Sequence, residues 1–151
     1  PASNHHPGAP HLNAPHLGAM VRALWQMMRD EAYSCVSAEG YNDLQPAHLQ
    51  VFRLPSPDGM RPSELAARMQ ISKQSVNDLL GHLEARGYLT REPDPADGRG
   101  RVVRLTPRGR SLEAAVEASA QHVEQKIAGV LGARRFEELR DTLRALTADT
   151  W

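Results

Sequence analysis

A chain of 151 residues is about one domain's worth of polypeptide, long enough to bury a real core. Its 18 Lys+Arg balance 18 Asp+Glu, no stretch approaches the roughly 18 apolar residues of a membrane span, and the N-terminus lacks the charged-then-apolar layout of a signal peptide. A single cysteine, Cys35, excludes an internal disulfide framework and any cysteine-based zinc cluster, so the chain reads as a cytoplasmic protein.

Residues 1–15, "PASNHHPGAPHLNAP", offer almost nothing apolar to bury and read as a mobile tail. From His16 the pattern changes. Leu17, Val21, Leu24, Met28, Ala32 and Cys35 step by three and four, with Trp25 and Val36 widening the stripe, which predicts a helix over 16–38 ended by Gly40. In "LQPAHLQVFRLP" Pro46 suits a first helical position and Pro55 a stop, giving a second, shorter helix.

After the loop "PSPDGM", Pro62 opens a third helix with Leu65, Ala66 and Met69 inward and Glu64 favourably near its positive end. Arg61 stands where a capping Ser or Thr would be expected, a loss on the order of 1 kcal/mol, and can reach a phosphate instead. Ser72 then caps a fourth helix over 73–86. Val76, Leu79, Leu80 and Leu83 share one narrow face of it, while Gln74, Asn77, Asp78, Gly81 and Ala85 point the other way. Gly87 ends it.

"YLTRE" and "RVVRL" read as two short strands flanking the turn "PDPADGRG". Thr106 and Pro107 open a long helix in which Leu112, Val116, Ser119, Val123 and Lys126/Ile127 recur at four and three. Beyond a break at Gly129–Gly132, Phe136, Leu139, Leu143 and Leu146 step three, four, three. Seams of this kind ask for partner helices. They assign Leu17, Val21, Leu24, Leu112, Val116, Val123, Phe136, Leu139, Leu143 and Leu146 to a dimer interface.

The fold class is mainly α with a small β-wing (α+β), divided into a tail (1–15), an N-terminal dimerisation helix (16–43), a winged helix-turn-helix lobe (44–110) and C-terminal dimerisation helices (111–151). In such a lobe the second short helix enters the major groove and the hairpin reaches an adjacent minor groove. Overall neutrality hides the matching charge. Residues 1–60 carry three basic and five acidic groups, 61–110 ten and six, and 111–151 five and seven; from Arg99 to Arg110 there are five arginines and no acid.

The run "SELAARMQISKQSVNDLLGHLEARGYLTREPDPADGRGRVVRLTPRG" closely resembles the MarR family of bacterial transcriptional regulators, especially in "LEARGYLTR", the Asp97-x-Arg99 wing tip and "LTPRG", and the likeness extends over residues 16–148. The resemblance implies a homodimer whose first and last two helices interlock, paired lobes on a pseudo-palindromic operator in double-stranded DNA, most often repression, and in many members a small-molecule effector bound between dimer region and lobe. By that likeness Ser72, Lys73, Gln74, Ser75 and Asn77 fall at groove-contacting or phosphate-contacting positions. Asp97 would hold Arg99 as the wing-tip finger, with Arg101 behind it. Trp25 and the Met27–Met28 pair read as dimer core, with effector-pocket lining by Trp25 and Met28 as the alternative. Gly98 departs from the family pattern, standing where a second wing arginine often follows the Asp.

No nucleophile elbow, phosphate-cradling glycine loop or paired carboxylates appear, so catalysis is not expected. His5, His6, His11 and His16 sit without a carboxylate or thiolate at ligand spacing, and neither metal nor cofactor is expected. His48, His82 and His122 read as surface or satisfied core histidines. Cys35, on the apolar stripe with no base in view, reads as a small buried hydrophobe. The alternatives are a Cys35-based redox-sensing regulator and a winged-helix module that binds protein rather than DNA.

Overall fold

In the computed structural model the described residues are 15–53 and 55–148, so the reading of the N-terminal tail falls outside them but for Pro15. Helix α1 (Leu17–Ala38) stops at Gly40, whose φ of 102° an L side chain would resist. Helix α2 (Pro46–Leu49) runs directly into a 3₁₀ turn (Gln50–Phe52). His48 is the satisfied core histidine expected: it is buried and its Nδ1 accepts from the Gln45 N–H at 2.9 Å.

Helix α3 (Pro62–Met69) and helix α4 (Lys73–Ala85) are joined by the tight turn that defines a helix-turn-helix, with Gln70 in the left-handed region at φ 53°. Arg61 cannot accept a hydrogen bond from the α3 N-terminus, yet its own N–H donates to the Glu64 carboxylate at 2.8 Å, which is half of a capping box. Ser72 caps α4 as expected, its Oγ accepting from the Ser75 N–H at 3.0 Å.

Strands β1 (Leu89–Pro93) and β2 (Arg101–Leu105) pair antiparallel from Leu89↔Leu105 to Pro93↔Arg101, forming the wing. Val76, Leu80 and Leu83 of α4, Tyr88 and Leu89, and Val103 and Leu105 of the wing are all buried in one core with Leu49, Val51 and Leu65. That shared core fixes α4 and the hairpin relative to each other.

Helix α5 (Pro107–Leu131) is capped by Thr106, which accepts from the Gly109 N–H at 3.1 Å. Glycine is required at 109: a Cβ there would overlap the Tyr88 backbone carbonyl oxygen, because the first turn of α5 lies directly on the start of β1. Helix α5 continues through Gly129, contrary to the expected break over 129–132. Only Gly132, at φ 79°, interrupts the path before helix α6 (Ala133–Thr147).

Leu112, Val116 and Val123 require a second correction. All three are buried within the chain, Leu112 and Val116 in the core cluster that also holds the lobe, on a helix that packs along α1. A heptad-like period identifies a face that must be covered. Here α1 and the lobe of the same chain cover that face, so these residues are not a dimer surface.

Candidate nucleic-acid interface

Three of the sequence-predicted residues, Lys73 and Asn77 of α4 and Arg101 of β2, line one cleft of about 500 Å³ with Pro62, Ser63, Glu84 and Arg91. The only carboxylate among these residues is already neutralised. Glu84 Oε2 accepts from Arg91 Nε at 3.0 Å and from the terminal nitrogen at 2.7 Å, and Oε1 accepts from the Arg91 N–H at 3.1 Å. Hydrogen bonding from Arg91 holds the Glu84 carboxyl below its ordinary range. Lys73 and Arg101 therefore set the sign of the cleft. Ser63 and Arg91 were not singled out in the sequence, and only the charge of Arg91 in a basic segment hinted at its place.

The remaining α4 candidates point elsewhere. Gln74 Nε2 donates to Asp78 Oδ1 at 2.9 Å, one turn on, which fixes the side-chain amide. Ser72 and Ser75 share a hydrogen bond at 2.8 Å between their hydroxyls. Ser75 lies on the opposite flank from Asn77, with Asp78 and His82, so the five candidates form a crest and two sides rather than one patch.

At the wing, Asp94 was not anticipated and is central. Only 7% exposed, it accepts from the Ala96 N–H at 2.8 Å through Oδ1 and from Arg61 Nε at 2.6 Å through Oδ2. The backbone hydrogen bond from Ala96, followed by Arg61, keeps its carboxyl below the usual carboxylate range. Arg61, expected to reach for phosphate, thus braces the base of the wing against the start of α3. The Asp-Pro that opens the turn was the available signal for Asp94.

Asp97 does not clamp the Arg99 guanidinium as expected. Its Oδ1 accepts from the Arg99 backbone N–H at 3.2 Å, and its other oxygen lies 3.9 Å from Arg61. Two backbone bonds close the turn, Asp94 N–H to Gly100 at 2.9 Å and Gly100 N–H to Asp97 at 2.8 Å. The Arg99 side chain has no hydrogen-bond or ion-pair partner among the described residues, and it sits exposed at the tip.

The other arginines of the basic run divide by role. Arg101 donates to the Arg91 carbonyl at 2.9 Å, and Arg104 lies between Asp58 and Glu92 at 3.9 and 4.0 Å. Arg108 is structural: it donates to Asp43 at 3.2 Å and to the Tyr88 hydroxyl at 2.9 Å, with its guanidinium 4.3 Å from the centre of the Tyr88 ring. Tyr88 donates in turn to Asp43 at 2.7 Å, and burial, reinforced by that bond, pushes its pKa up to about 12.

A family model described as MarR family matches residues 42–100, the span from α2 through the wing turn. Over 133 residues the chain is 26% identical to the HTH-type transcriptional repressor Rv2887 of Mycobacterium tuberculosis, covering 88% of this chain and 94% of that one. The crystal structure of Rv2887 in complex with salicylic acid superposes with a TM-score of 0.68 over 89% of this chain and 98% of that one. Transcriptional regulator Tm0710 from Thermotoga maritima is 30% identical, over 87% of this chain and 91% of that one, with a TM-score of 0.57.

The chain belongs to the MarR family. Its lobe carries the MarR recognition helix and wing, and its flanking helices leave apolar surface uncovered. Leu17 is 69% exposed, Leu143 44% and Leu146 74%; Val21 is also exposed, Leu24, Phe136 and Leu139 are half-buried, and α6 has no buried residue of its own.

The candidate effector-lining residues lie on α1, Met28 half-buried and Trp25 half-exposed. The Arg53 guanidinium stands 5.6 Å from the centre of the Trp25 ring. Burial, with Arg29 nearby, depresses the pKa of Arg53, and Arg29 Nε is buried with no hydrogen-bond partner.

Cys35 is only partly buried. Glu31 and His122 stand beside it, so the expectation of an isolated thiol on an apolar stripe does not hold.

Proposed function

We propose that this MarR-family chain is a sequence-specific regulator that binds double-stranded DNA as a homodimer on a pseudo-palindromic operator, represses transcription there, and is released by a small anionic aromatic effector. The observation that carries this reading is an exposed Arg99 at the end of a braced hairpin, beside a cleft where Lys73, Asn77 and Arg101 converge. Guanidinium at a hairpin tip suits the minor groove, whose negative potential deepens as it narrows. Cations beside a recognition helix suit the phosphates flanking the major groove, and its outward amides suit base edges.

A two-fold dimer would cover the apolar side chains that α1 and α6 leave exposed and would set two lobes on one face. Repression is supported by the name of the relative Rv2887. The effector reading is supported by Trp25 and Arg53, a combination that fits an aromatic carboxylate, and by the salicylic acid found with Rv2887.

Selection of bound duplexes from a random pool tests the proposal. It should enrich an inverted repeat with half-sites about one helical turn, roughly 10 base pairs, apart. A pool that stays random under selection would overturn it.

A further inference from the structure

We propose that Glu31 and Cys35 of α1, with His122 of α5, form a binding site for a divalent cation of the zinc class. One ligand atom from each residue lies within 4.8 Å of the other two, and His122 Nε2 stands 3.3 Å from Glu31 Oε1. Glu31 and Cys35 are four residues apart, so consecutive turns of one helix face present them together. His122 completes the set from the helix packed alongside.

The donor chemistry selects the ion. A thiolate and an imidazole favour zinc-like metals over magnesium or calcium, which take oxygen ligands. Three protein ligands leave a fourth tetrahedral position to water. Lys126 Nζ stands 2.8 Å from Glu31 Oε2, while His122 faces the other carboxylate oxygen, Oε1. An exposed His122 gives the ion a path in from solvent.

An ion-pair seam of Glu31, His122 and Lys126 alone would account for the imidazole and ammonium on α5. It gives no reason for the thiol to meet both other ligands. A bound ion would fasten α1 to α5, close to where α1 leads into the lobe.

Cobalt(II) added to the full chain with the thiol kept reduced is a specific probe, because Cys35 is the only cysteine and only its thiolate can give a sulfur-to-cobalt charge-transfer band. The histidines of the N-terminal segment can hold cobalt without producing one. The expected result is such a band saturating at one ion per chain, displaced by zinc but not by excess magnesium. Cys35→Ser should abolish it. His122→Ala, at an exposed position that the fold does not need, should weaken cobalt binding at least tenfold while the metal-free protein melts as wild type. Absence of the thiolate band, or a band of unchanged affinity in both His122→Ala and Glu31→Gln, would overturn the proposal.

Discussion

Replacing Leu146 by Asp isolates the assembly from the fold, because this side chain is 74% exposed on the single chain and α6 buries nothing of its own. Full burial of a leucine is worth about 1.5–3 kcal/mol, so roughly three quarters of that, about 1–2 kcal/mol per chain, remains available only to a partner. A two-fold interface counts it twice. The loss alone comes to about 2–4 kcal/mol per dimer, a factor of roughly 30 to 1,000 in the dissociation constant, and an unpaired carboxylate in the interface adds to it. Within one chain the same change touches nothing buried and should fall within about 0.5 kcal/mol of neutral. Sedimentation equilibrium across a concentration series, beside circular dichroism, separates the two effects. A dimer of unchanged affinity would refute the assignment of α6 to the interface.

Gly98→Arg should tighten DNA binding several-fold and steepen the dependence of log K on log salt by roughly one to two units per dimer. A side chain there meets nothing within 4 Å, and Gly98 has no positive φ to strain, which fluorescence anisotropy can check. Gly109→Ala should destabilise the lobe by about 3 kcal/mol, seen as a drop of roughly 10 °C in Tm, because the methyl collides with the Tyr88 carbonyl oxygen rather than with a movable side chain. The depressed pKa of Asp94 means that its contribution to wing order is fully present above the ordinary carboxylate value, about 3.9, and is lost as pH falls through the lower native value. Amide-exchange protection at Ala96 and Gly100 should collapse on that acid side, and Asp94→Asn should lower it already at neutral pH.

Local signals in the chain foretold most of the lobe. Pro62, Ser72, Gly87, Thr106 and Pro107 each act within one turn of themselves, so the helix starts, the stop after α4 and the long helix after the wing follow from residue chemistry alone. The adjacent β-branched valines of "RVVRL" and the turn formers of "PDPADGRG" define the hairpin in the same way. What escaped depends on contacts between distant segments. Leu112, Val116 and Val123 had the period of a dimer seam, and nothing in a period says whether the covering helix belongs to the same chain. The Arg61 to Asp94 brace, the Arg108, Tyr88 and Asp43 node, and the meeting of His122 with Glu31 and Cys35 each join elements far apart in sequence. Counting arginines over 99–110 likewise merged one free wing-tip cation with structural ones such as Arg108.

The central claim is that a free guanidinium at the wing tip meets DNA, and a salt titration of wild type and Arg99→Ala on the selected operator tests it most directly. The account predicts that Arg99→Ala weakens binding about tenfold or more per dimer and flattens the slope of log K against log salt by roughly one to two units, one contact being lost at each of two wings. The thermal stability of the protein should hardly change, because the Arg99 side chain has no partner within the described chain. An Arg99→Ala protein with wild-type affinity and slope would contradict the account and leave the wing a solvated hairpin.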